Sequence, residues 1–153
     1  MLAVGRKVPK LSGTLHDGGV LALADLRGSA VVVYFYPKDQ TPGCTNEAHD
    51  FRDLHAQFRE HDCEIVGVSR DSVASHAKFR DKHALPFPLV ADTDETWCSA
   101  FGVLGEKSLY GRRFIGVIRS TFLIDAQGVL AAEWRGVKVP GHAAAVLDRL
   151  TQL

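Results

Sequence analysis

Residues 34–53 read YFYPKDQTPGCTNEAHDFRD. An apolar strand end runs into a turn built from Pro37, Thr41, Pro42 and Gly43, and then into a helix that starts at about Cys44. The apolar positions Ala48, Phe51, Leu54 and Phe58 follow at helical spacing. Cys44 lies four residues before Ala48, so its sulfur is expected on the buried side of that helix. Helix N-termini carry unpaired N–H groups and the positive end of the dipole, an environment that favours a thiolate. The stretch therefore predicts a strand–turn–helix unit built around one activated cysteine.

Working outward, residues 30–36 (AVVVYFY) form a continuous apolar run, as expected of a strand covered on both faces. Upstream, His16-Asp17-Gly18-Gly19 is a hairpin signal within residues 14–22. Downstream, residues 63–69 predict a strand, and Ser72 caps a helix running to about residue 83. A short strand at 89–91 follows Pro86 and Pro88, and a short helix at 96–101 stops at Gly102. Residues 104–114 (LGEKSLYGRRF) read as a loop with a basic cluster. Strands at 120–124 and 129–134 flank a turn, and Pro140 opens a last helix. The order hairpin, β, α, β, α, β, α, β, β, α predicts an α/β protein of thioredoxin-like arrangement, a mixed sheet with helices on both sides.

The 153 residues suit one core, and 46% hydrophobic with 24% charged residues predicts a packed globule. Eighteen basic residues balance eighteen acidic ones, which gives no reason to expect a nucleic-acid partner. The longest apolar run is too short for a bilayer, and the N-terminal residues show no secretory pattern. Three cysteines, without a C-x-x-C pair, do not resemble a secreted disulfide framework, so a cytoplasmic, reducing location is the expectation.

Around Cys44 each neighbour has a physical role. Thr41 can turn its hydroxyl toward the sulfur or a bound oxygen, or can simply cap the helix. Pro37 can shield the thiolate from water. Pro42 and Gly43 set the turn and leave the Gly43 and Cys44 amides free to donate to a peroxide and to the oxygen that leaves. A cation is still needed; Arg119, before the strand STFLID, is the candidate, with Arg112 and Arg113 as competitors. Glu47 would oppose a thiolate if it faced Cys44, so it is expected to point away. The seven histidines have no metal-ligand spacing and read as solvated surface groups, and no nucleotide-binding context surrounds Gly105 or Gly111.

The stretch 34–53, with FGVLGEKSLYG at 101–111 and IRSTFLID at 118–125, resembles the peroxiredoxins, most closely the bacterioferritin comigratory protein or peroxiredoxin Q group. The resemblance covers nearly the whole chain and implies one thioredoxin-like domain over residues 1–153. It also implies a cofactor-free antioxidant thiol peroxidase acting on hydrogen peroxide and organic hydroperoxides, and a monomer. On this match Cys44 corresponds to the peroxidatic cysteine, Thr41 and Pro37 to its motif companions, and Arg119 to the active-site arginine; Thr41, Gly43 and Arg119 would hold the substrate.

Relatives often carry a resolving cysteine at positions that are His49 or Arg80 here. Cys63 reads as a small core residue. Cys98 reads the same way, although unwinding of its short helix would make it a weak candidate to resolve Cys44. The expectation is a one-cysteine mechanism with glutathione, glutaredoxin or thioredoxin as reductant. The rivals are a two-cysteine peroxidase using Cys98, a peroxide sensor or chaperone that uses Cys44 without turnover, and acyl transfer by a Cys–His pair. The last is disfavoured because His49, five residues on at about 100° each, points to another side of the helix.

Overall fold

The computed structural model describes residues 2–153. A seven-stranded mixed sheet is ordered β2-β1-β5-β4-β3-β8-β9, from β1 (Ser12–Leu15), β2 (Val20–Ala22), β3 (Ala30–Phe35), β4 (Cys63–Ser69), β5 (Leu89–Ala91), β8 (Ser120–Ile124) and β9 (Leu130–Arg135). Strands β3, β4 and β5 run parallel, and β8 joins β3 antiparallel, with Phe35 opposite Ser120. The α-helices are α1 (Pro42–Glu60), α2 (Val73–Lys82), α3 (Thr96–Phe101) and α4 (His142–Leu150). The Ser72 hydroxyl accepts from the Ser75 amide at 3.1 Å, the N-cap read from the sequence. The last helix begins two residues beyond Pro140, after Gly141 at φ 76°.

One expectation fails outright. Residues 104–114 are not a loop: Leu104–Leu109 (β6) and Arg112–Val117 (β7) form a separate two-stranded antiparallel ribbon. Its side chains are largely exposed on both faces, so it lacks the alternation of burial that marks a half-buried strand.

The sheet divides the interior into two apolar layers, because successive residues of β3 point to opposite faces. Val32, Tyr34 and Tyr36 pack on one side with Cys44, Ala48 and Phe51 of α1, Phe79 of α2 and Val146 of α4. Val31, Val33 and Phe35 pack on the other with Trp97, Cys98 and Phe101 of α3. The continuous apolar run of β3 follows from this double coverage. Phe51 stacks on Tyr34 at 4.7 Å and fixes α1 to the sheet; its truncation to alanine is expected to cost about 3–5 kcal/mol.

Candidate active site

The site lies where β3 ends and α1 begins. Pro42 occupies the first turn, where its missing N–H costs nothing. Cys44 is thus the third helical residue rather than the first, and it is buried beside Ala48. Thr45 N donates to Thr41 O at 2.9 Å, while the Gly43 and Cys44 amides have no acceptor among the described residues. These two donors are available beside the sulfur.

Arg119 approaches from β8. Its Nη2 donates to Cys44 Sγ at 3.3 Å and its Nη1 to Glu47 Oε1 at 2.6 Å. The reach comes from the antiparallel register: the start of β8 lies beside the end of β3. Arg113 pairs instead with Glu106 on the exposed ribbon, and Arg112 is exposed there too. A Cβ on Gly43 would lie 3.3 Å from Arg119 Nη2, so glycine leaves room for the guanidinium.

Glu47 does not point away. It is buried, three residues beyond Cys44 on the same helix face, and it anchors Arg119. Burial raises its carboxyl to about 7, against the opposing pull of Arg119, and nearby Asp50 adds to the rise. The i, i+3 spacing was the sequence signal for this contact. The electrostatic objection dissolves because the guanidinium stands between the acid and the sulfur.

The Thr41 hydroxyl donates to Lys38 O at 2.8 Å and makes no capping bond, although Thr41 is the N-cap by position. Its hydrogen is therefore committed within the turn, and its oxygen lone pairs are left to accept. Pro37 is half-buried, one residue past Tyr36.

The other two sulfurs are remote. Cys98 belongs to the layer across the sheet from Cys44. Burial raises its thiol above the ordinary range, and a hydrogen bond with Asp92 pushes the same way. Cys63 shares the layer of Cys44 but sits opposite Ala30, at the far end of β3. Six residues of strand at about 3.3 Å each separate Ala30 from Tyr36, roughly 20 Å in all. Burial pushes the Cys63 thiol up to about 12.

The histidines depart from the surface reading. His76 and His142 are buried, the latter 2.8 Å from Thr121 Oγ1, and burial, with Arg119 nearby, lowers His142 to about 4. His49 is half-buried and its Nε2 lies 2.9 Å from His83 Nδ1.

Residues 4–133 match the AhpC/TSA family. The chain is 47% identical over 152 residues to peroxiredoxin Bcp of Bacillus subtilis, covering 99% of this chain and 97% of that one. Peroxiredoxin Bcp of Xanthomonas campestris is 49% identical over 137 residues, covering 90% and 86%. Among solved structures, a Xylella fastidiosa PrxQ mutant superposes with a TM-score of 0.94 at 40% identity, covering 99% and 97%. The Xanthomonas campestris bacterioferritin comigratory protein, studied for its alkyl peroxide reduction through trapped intermediate and ligand complexes, gives 0.91 at 45% identity, covering 99% and 97%. The chain belongs to the AhpC/TSA family, in its Bcp or peroxiredoxin Q branch, and its fold is thioredoxin-like.

Proposed function

We propose that Cys44 is the attacking sulfur of this thiol-dependent peroxidase, and that it reduces hydrogen peroxide and organic hydroperoxides. The observation that carries the reading is the 3.3 Å approach of Arg119 Nη2 to Cys44 Sγ, beside two free backbone amides. The Cys44 thiolate attacks one oxygen of ROOH, the O–O bond breaks, and a sulfenic acid forms on sulfur. The departing RO⁻ takes a proton and leaves as alcohol or water. The Gly43 and Cys44 amides and Arg119 stabilise the charge that develops on the oxygens, and Thr41 accepts a hydrogen bond from the peroxide. Organic peroxides enter the proposal through the Xanthomonas relative, whose alkyl peroxide reduction has been studied.

The second half-reaction uses an external thiol. That thiol displaces hydroxide from the sulfenic acid to give a mixed disulfide and water, and a second thiol releases Cys44 again. Glutathione, glutaredoxin or thioredoxin would serve. The positions of Cys63 and Cys98 favour this over an internal disulfide, since one lies at the opposite end of the strand and the other across the sheet.

The test is peroxide consumption with excess reducing thiol, wild type against Cys44→Ser and Arg119→Ala. Loss of turnover in Cys44→Ser and slower oxidation in Arg119→Ala are expected. Undiminished turnover in Cys44→Ser would end the proposal, and a wild type that stops after one equivalent would favour a sensor.

A further inference from the structure

A buried polar cluster joins the turn before Cys44 to helix α2, and the peroxide chemistry above does not use it. Asp39 is 4% exposed and His76 0%. The Asp39 carboxylate receives three hydrogen bonds: from Tyr36 Oη to Oδ1 at 2.6 Å, from Ser75 Oγ to Oδ2 at 2.8 Å, and from His76 Nδ1 to Oδ2 at 2.7 Å. The other ring nitrogen, His76 Nε2, faces the Val90 carbonyl at 2.9 Å. Ser69 Oγ lies 3.5 Å from it, with its own hydrogen committed to Asp71.

These contacts fix where the protons are. A carbonyl oxygen only accepts, so Nε2 carries a hydrogen. Asp39 Oδ2, which also accepts from Ser75 Oγ, is an acceptor here, so the hydrogen between it and Nδ1 is donated by the ring. Both nitrogens therefore donate, and only an imidazolium does that. Asp39, Asp71 and His76 place donor atoms within 4.8 Å of one another, but those atoms are spent on these hydrogen bonds rather than left open for a cation.

Gln40 has φ 63°, a left-handed conformation uncommon for a residue other than glycine, asparagine or aspartate. Such a backbone persists where its surroundings over-determine it. Here the Asp39 amide donates to Asp71 Oδ2 at 3.0 Å on one side, and Thr41 Oγ1 donates to Lys38 O at 2.8 Å on the other. Gln40 turns the chain from β3 into Thr41, Pro42, Gly43 and Cys44.

We propose that Asp39 and His76 are positioning residues for the peroxide reaction: a buried carboxylate–imidazolium pair that locks the strained turn at Gln40 and so aims the Thr41 hydroxyl and the Gly43 and Cys44 amides. The inference rests on Cys44 being the residue that attacks peroxide.

Two measurements test it. In the wild type, the ¹⁵N shifts of the His76 ring near neutral pH are expected to show both nitrogens protonated; a neutral-tautomer pattern overturns the pair. In Asp39→Asn, which keeps the shape but not the charge, the rate constant of Cys44 with hydrogen peroxide is expected to fall about tenfold or more, because small misplacements cost orders of magnitude. Alkylation of Cys44 by iodoacetamide, which needs no oriented O–O bond, is expected to change less than about twofold, since it does not draw on that geometry. Tyr36→Phe, which deletes one of the three bonds and keeps the ring, is expected to move the same ratio by less. Equal losses in both reactions, or none in either, overturn the positioning role. Failure of the wild type to react with peroxide at Cys44 would instead overturn the peroxidase reading.

Discussion

Glu47 Oε1 accepts from Arg119 Nη1 at 2.6 Å, while the other arm of the same guanidinium points at Cys44. The acid thus acts on the sulfur through the arginine. Its carboxyl titrates at about 7, within the working range of a cell, so the anchor of Arg119 changes character there: an ion pair above, a neutral acid facing a cation below.

That gives a first prediction. The rate of Cys44 oxidation by peroxide, followed against pH, should show an inflection near 7 that Glu47→Gln removes. Stability should respond as well. The group is raised from 4.5 to about 7 on folding, so its contribution is full below about 4.5 and is lost as pH rises through about 7. Denaturant titrations should find Glu47→Gln gaining on the wild type by up to about 3 kcal/mol between pH 5 and 8.

His142 works in the opposite sense. It is lowered from 6.5 to about 4, so its contribution is full above about 6.5 and is lost as pH falls toward 4. The magnitude is again about 3 kcal/mol, so between about pH 4.5 and 6.5 the two groups nearly cancel. Wild-type stability should change little over that interval from these two sites. His142→Gln should expose the Glu47 slope, with stability falling as pH rises; a steep acid loss persisting in that variant would refute the assignment.

Gly43→Ala probes the room left for the guanidinium. The added methyl would sit 3.3 Å from Arg119 Nη2, and the arginine cannot retreat freely because Glu47 holds it. Stopped-flow oxidation should slow by about tenfold, less than the roughly hundredfold or more that outright loss of a stabilising donor costs because the guanidinium is displaced rather than removed, while helix content by circular dichroism stays unchanged.

Cysteine replacements separate the resolving routes. Cys63→Ser and Cys98→Ser should retain most peroxide turnover with an added thiol, and mass spectrometry of the oxidised wild type should find a sulfenic acid or an external adduct. Cycling lost in Cys98→Ser with single-turnover oxidation spared, or an internal disulfide in the wild type, would reassign the mechanism.

The parts of the fold that sequence revealed are those where local pattern and burial agree. The double-faced run of β3 and the Ser72 cap are cases of this kind. The ribbon at Leu104–Val117 escaped because Leu109, Phe114 and Ile115 are exposed, so neither face carries an apolar period. The candidate site was legible around Cys44, in that its turn residues are contiguous in the chain. Asp39 and His76 were not, since 37 residues separate them and a histidine that gains its partner only in the tertiary fold looks like any surface histidine beforehand. Glu47 was misread for a related reason: the sign of its effect depends on a guanidinium 72 positions away.

The sheet that divides the core also divides the chain's sulfur. With one thiol walled off on the opposite side and another parked at the far rim, the one-cysteine route proposed above would leave an oxidised Cys44 with no neighbour to rescue it. On that route the lifetime of the oxidised protein would depend on how often a reducing molecule visits, and its throughput would track the concentration of thiols around it rather than any internal rearrangement.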